Sequence, residues 1–300
     1  ALNGQTGEKI WQYETGYSWA SPSISSDGTV YVNSRETAIL YALNGKTGEK
    51  IWETNSTAII AGSKSTPAIS SDGTVFFGGL FEKGVYALDS QTGDIKWDYG
   101  PTFYSSSDCS PSIGPDGILY IHVADDIFSN DDNASRLMAF DSSSGTVKWA
   151  LNMPSTMMES GAPTIGSDGT LYYFNLFEGV FAIDSQTGEI KWNRAGSSVY
   201  ESSGALDSDG TLFIGTGEGL AAIHTSSLGL ANSPWPKFGQ NNRNTGRVKS
   251  NDSTTPTTSV NESDDFTGAD RNATAWEGDE FEASGRFNQN DRLYYFTQGD

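Results

Sequence analysis

An eleven-residue string, ALNGKTGEKIW at residues 42–52, returns with edits along the chain. Its copies are ALNGQTGEKIW (1–11), ALDSQTGDIKW (87–97), AFDSSSGTVKW (139–149) and AIDSQTGEIKW (182–192), with a degraded sixth running from Ala222 to Trp235. The tryptophans that end them, Trp11, Trp52, Trp97, Trp149, Trp192 and Trp235, are 41, 45, 52, 43 and 43 residues apart. A period of this size restricts the chain to a series of like units, each covering its neighbour's apolar face.

A second string recurs out of phase: SPSISSDGTVYV (21–32), TPAISSDGTVFF (66–77), SPSIGPDGILYI (110–121), APTIGSDGTLYY (162–173) and GALDSDGTLFI (204–214). Asp-Gly between two apolar runs is a hairpin signal, because glycine tolerates a positive φ. Pro22, Pro67, Pro111 and Pro163 stand at strand starts, where a missing N–H costs least. The tryptophan string reads as a second hairpin, with Asn/Asp-x-x-Thr-Gly as its loop. Two hairpins per period make four antiparallel strands, the blade of a β-propeller. The expected fold is therefore all-β. Full blades are expected at about 18–54, 63–99, 107–151, 159–194 and 200–236, after an N-terminal half-blade at 1–13.

The pattern Ala-x-Asp-x-x-Thr-Gly-x-x-x-Trp resembles the tryptophan-docking motif of the quinoprotein (PQQ-like) β-propeller repeat family. Ala87, Asp89, Thr92, Gly93 and Trp97 match it, as do Ala182, Asp184, Thr187, Gly188 and Trp192; Asn3 and Asn44 replace the Asp, and Ser144 the Thr. The likeness covers about residues 1–247 and includes the tail WPKFGQNNRNTGR (235–247). It implies that the six tryptophans pack between blades and that the full ring has seven or eight of them, with earlier blades and a signal peptide upstream. Residues 249–265 read as a Ser/Thr/Asp linker. Residues 266–300 read as an incomplete acidic segment, possibly the start of a β-sandwich module.

The formal charge of −20 disfavours nucleic acid and anionic membrane surfaces as partners. No apolar run is long enough to span a membrane. Cys109 is the sole cysteine, so no disulfide framework exists.

The candidates for chemistry are few. An insertion at 122–137 carries Asp125, Asp126, Asp131 and Asp132, an oxygen-rich set that could collect Ca²⁺, though it lacks the Gly and Glu of an EF-hand loop. A solvated loop is the competing reading. Quinone dehydrogenases of the resembling family carry a catalytic Asp, a Ca²⁺ and, in many members, paired cysteines. The paired cysteines are missing here. His122, on an outgoing strand, and His224, in a turn, have no His or Cys at metal spacing and read as structural or surface residues. Gly215-Thr-Gly217-Glu-Gly219 lies between strands and matches no phosphate loop. Trp19 stands outside the tryptophan series and is the candidate for partner contact.

The expected function is a non-catalytic, secreted or periplasmic bacterial propeller that binds a protein or extracellular ligand, without a catalytic or cofactor site. It resembles the non-enzymatic, outer-membrane-assembly branch of the family. The alternatives are the C-terminal part of a PQQ-dependent dehydrogenase and a surface glycan-binding module.

Overall fold

The computed structural model describes residues 1–54, 64–79, 83–100, 105, 107–124, 135–153, 161–175, 178–194 and 203–248, and the backbone of 294–296. The described residues contain no helix, and hence none long and apolar enough to cross a membrane.

Five four-stranded antiparallel sheets follow one another along the chain. The first is β1 (Ser23–Ile24), β2 (Thr29–Ser34), β3 (Ile39–Asn44) and β4 (Lys50–Glu53). The second is β5 (Ala68–Ile69), β6 (Val75–Gly78), β7 (Val85–Leu88) and β8 (Ile95–Tyr99). The third is β9 (Ser112–Ile113), β10 (Ile118–Ala124), β11 (Ser135–Asp141) and β12 (Val147–Asn152). The fourth is β13 (Thr164–Ile165), β14 (Thr170–Asn175), β15 (Gly179–Asp184) and β16 (Ile190–Arg194). The fifth has β17 (Ala205–Leu206), β18 (Thr211–Thr216) and β19 (Gly219–His224), with β20 (Tyr294–Phe296) as its outer strand. These are the blades of a β-propeller. Residues 1–11 form a short hairpin ahead of the first, closed by a Leu2–Lys9 bridge.

The Asp-Gly turns form as follows. Gly28 N–H donates to the Ser25 carbonyl, and Asp27 Oδ1 accepts from Thr29 N–H. Only the glycine takes a positive φ, 91° at Gly28. The turn is thus a four-residue one closed by a left-handed glycine, rather than a two-residue hairpin loop. In the second hairpin, Asp89 Oδ1 accepts from the Gln91 and Thr92 N–H groups, and Gly93 turns left-handed at φ 76°. Asn3 and Asn44 accept the same pair of bonds, so Asn serves as well as Asp.

The motif's alanine has a packing reason. Ala42, Ala87, Ala139 and Ala182 are the cross-strand partners of Trp52, Trp97, Trp149 and Trp192. A register shift follows each alanine, so a bulge sits beside every one of these tryptophans. The indole N–H then reaches the next loop in the series. Trp11 Nε1 donates to Gly45 O (2.9 Å), Trp52 to Ser90 O (2.8 Å), Trp97 to Ser142 O (2.9 Å) and Trp149 to Ser185 O (2.9 Å). Each indole lies on a loop glycine. A Cβ at Gly48, Gly93, Gly145 or Gly188 would stand 2.7 Å from ring carbons of Trp11, Trp52, Trp97 or Trp149.

The core runs through the sheets in sequence order. One buried cluster spans the first three, a second joins the third and fourth, and a third joins the fourth and fifth. At the opposite edges the first strands converge. Ser23 Oγ donates to Pro67 O (2.5 Å), Ser112 Oγ to Pro163 O (2.5 Å) and Thr164 Oγ1 to Gly204 O (3.1 Å).

We predict different costs for two glycine substitutions, read by urea unfolding. Gly28→Ala meets no atom within 4 Å and should lose only the ~1–2 kcal/mol of a left-handed alanine. Gly93→Ala adds a collision with the Trp52 indole and should cost at least about 1 kcal/mol more. Equal losses would show that the indole contact contributes nothing.

Candidate functional site

The loops entering the first strands gather unlike residues from successive blades. Trp19, ahead of β1, is 56% exposed. Arg35 Cζ lies 4.0 Å from the centroid of its ring and Lys64 Nζ lies 5.5 Å from it. Lys64 sits at the entry to the second blade, and its N–H donates to Asp108 Oδ1 (3.0 Å) at the entry to the third. Equivalent positions of three consecutive blades are thereby joined in series. An indole with a guanidinium over its ring and an ammonium nearby presents aromatic and positive surface together on a strongly acidic chain. Such a plate suits an acidic or aromatic segment of a partner.

The segment from Gly229 to Val248 is bonded to the converging first strands. Ser167 N–H donates to Gly229 O, Ala231 N–H to Ile165 O, Ile113 N–H to Trp235 O and Ile165 N–H to Pro236 O. Asn242 exchanges side-chain bonds with the backbone of Leu206, and Gly246 O and Val248 N–H bond to Ile24. One strap thus holds the first, third, fourth and fifth blades. Its side chains enter all three core clusters, through Leu230, Ala231, Trp235 and Val248.

Trp235, sixth in the sequence series, therefore sits elsewhere than the other five. It is fully buried against the first strands, and its indole N–H is buried without a partner. Of the rest, Trp52 is buried, while Trp11, Trp97, Trp149 and Trp192 are only half-buried. Trp192 keeps its place opposite Ala182, but among the described residues its N–H has no carbonyl partner. The loop after β19 lacks the Asn/Asp-x-x-Thr-Gly turn whose second residue supplies that carbonyl in the other blades.

Lys237 is 2% exposed within the strap. Its Nζ donates to Phe238 O (2.8 Å), Asn241 O (3.3 Å) and Asn244 Oδ1 (2.7 Å), and burial pushes its pKa down to about 8. The interior also holds His122, 1% exposed and stacked 5.9 Å from Tyr173. Its Nε2 pairs with Ser135 Oγ (2.5 Å), while Nδ1 is buried without a partner. The tautomer that donates from Nε2 leaves only a lone pair, not an N–H, unsatisfied. His224 is exposed at the end of β19.

Among the described residues, no three His, Cys, Asp or Glu side chains gather. Cys109 is buried and is the chain's one cysteine. Asp125, Asp126, Asp131 and Asp132 lie outside the described residues.

Sequence reasoning singled out Trp19 but not Arg35 or Lys64, whose proximity depends on two different loops. It read residues 235–247 as a family tail and the stretch up to Trp235 as the end of the fifth blade, whereas residues 229–248 form the strap.

Burial holds His122 neutral, with its pKa lowered to about 4 against an ordinary 6.5. The unfolded chain takes up a proton between those values and the folded chain does not. Stability should therefore fall as pH drops from 6.5 to 4, by about 3 kcal/mol for this group. His122→Gln should flatten that part of the pH–stability curve measured by urea unfolding. An unchanged slope would assign the acid sensitivity to other groups.

Among curated proteins, none matches the chain in sequence. In structure it is similar to BamB from Moraxella catarrhalis, with a TM-score of 0.55 and 20% identity over 78% of this chain. A europium-containing methanol dehydrogenase matches at TM-score 0.51 and 15% identity over 73% of the chain. A quinohemoprotein alcohol dehydrogenase from Pseudomonas putida HK5 matches at 0.51 and 17% over 76%. The chain spans 66% of that BamB and 52% and 44% of the two dehydrogenases, and identities this low speak for the fold alone. The model of the family described as outer membrane protein assembly factor BamB matches residues 1–227, and the chain belongs to that family.

Proposed function

We propose that this protein is a non-catalytic binding scaffold of the periplasm or cell surface, whose partner is a protein. Trp19 carries the reading: a large aromatic side chain, 56% exposed and flanked by Arg35 and Lys64, at the entry-loop end of the blades. The tryptophans of the repeat dock successive blades through the third-to-fourth-strand turns, at the end opposite Trp19, and so fix the frame on which the entry loops stand. Family membership supports a protein partner and a place outside the cytoplasm.

The dehydrogenase reading keeps a place because quinone enzymes share the fold. It requires a cofactor seat, yet the converging first strands are bonded to the chain's own strap. The glycan-binding reading rests on the same Trp19 plate.

A photo-crosslinking residue at position 19 should capture one protein from the native cell envelope. Trp19→Ala should weaken binding of that protein at least tenfold and change stability by less than about 1 kcal/mol, since exposed cation–π contacts contribute little. Dye reduction after addition of the quinone and Ca²⁺ would overturn the proposal in favour of an enzyme. Glycan binding lost in Trp19→Ala, with no protein captured, would overturn it in favour of a lectin.

A further inference from the structure

The outer edge of the fifth blade is completed in an unusual way. In the first four blades a loop of five or six residues leads from the third strand to the fourth. After His224 the chain turns instead to the converging first strands, and the fourth strand is β20, resumed 69 residues later. It pairs antiparallel with β19 through Leu220–Phe296, Ala221–Tyr295 and Ala222–Tyr294.

Three observations make the β19 edge a place built for an added strand. Ala222 has the register position of Ala42, Ala87, Ala139 and Ala182, each of which lies opposite a tryptophan. Its own partner, Tyr294, is again aromatic. The incoming sequence, Leu293-Tyr294-Tyr295-Phe296, is identical to Leu171-Tyr172-Tyr173-Phe174 of β14, a strand paired on both sides within the fourth blade. Finally, no short loop ties the strand to its partner, so local chain connectivity does not fix it there. Tethering over such a distance gives an effective concentration on the order of millimolar, which a competing strand can match.

We propose that the β19 edge is a strand-addition site for an extended protein segment with an aromatic residue opposite Ala222, occupied in this chain by its own Tyr294–Phe296. Backbone hydrogen bonds supply the affinity and the alanine seat supplies the selectivity. This surface is separate from the Trp19 plate, and the two proposals stand or fall independently.

The test uses the full chain. Phe296→Pro, opposite Leu220 in a hydrogen-bonded pair, removes a ladder N–H and disfavours pairing while leaving the residue opposite Ala222 in place. In hydrogen–deuterium exchange, β19 should exchange at least tenfold faster in this variant than in the wild type. A synthetic peptide with the sequence of residues 292–298 (RLYYFTQ) should restore protection at millimolar concentration, and the same peptide carrying proline in place of Phe296 should not. Unchanged exchange in the variant, or protection not restored by the first peptide, would overturn the proposal. Concentration-dependent protection of the wild type together with a dimer in light scattering would overturn the intramolecular occupancy.

Discussion

The indoles of Trp11, Trp52, Trp97 and Trp149 each rest on a glycine in the following loop, and that glycine has two duties. Its positive φ closes the Asx-type turn, and its missing side chain leaves a flat seat for the ring. No other residue satisfies both conditions. The relation between consecutive blades is therefore set at one residue in each, and the indole N–H locks it with a bond to the carbonyl three residues earlier. Once this contact is fixed, the tyrosines stack in turn. Tyr31 and Tyr120 lie 5.7 and 5.9 Å from Trp52 and Trp149 and donate to the same Ser90 and Ser185 carbonyls.

The series ends where the seat is missing. Beyond Trp192 the loop reads His-Thr-Ser-Ser-Leu-Gly, and two non-repeating devices replace the repeating one. The strap bonds the first strands, and β20 fills the outer edge. The strap's carbonyls and amides solve a second problem as well. First strands of two residues leave unpaired backbone groups at their inner edges, and buried groups of that kind need partners. Lys237 is held by the same logic. Its ammonium is surrounded by carbonyl and amide oxygens, and none of the three acceptors is a carboxylate, in a chain with 38 acidic residues.

Much of the blade architecture was legible because its determinants are local. An Asp-Gly pair, a Thr-Gly pair and an alternating run each specify a few residues of backbone, and repetition multiplies the signal. The strap was not legible, because its bonds are made by main-chain groups of a segment with no period. The spacing of Trp235 imitated a sixth repeat, while its flanks lacked both the Thr-Gly loop and the Lys that accompanies the other tryptophans. Trp97, Trp149 and Trp192 pack between blades and are still only half-buried, because an outer strand has solvent on its far side. At the candidate site Trp19 stood out as an exception to a pattern. Its cationic neighbours did not, since they come from a turn and from another blade.

The strap also bears on the order in which the molecule is made. Blades emerge from the ribosome one at a time, and each can pack on its predecessor as soon as its glycine loop is complete. The clamp across their first strands comes from residues 229–248, after every first strand it grips. During synthesis the early blades are thus held only by their neighbours, with inner edges bare and open to wrong pairing. The final shape is sealed by a late, long-range closure, the kind of step that slows folding and calls for chaperone protection until the last turn is in place.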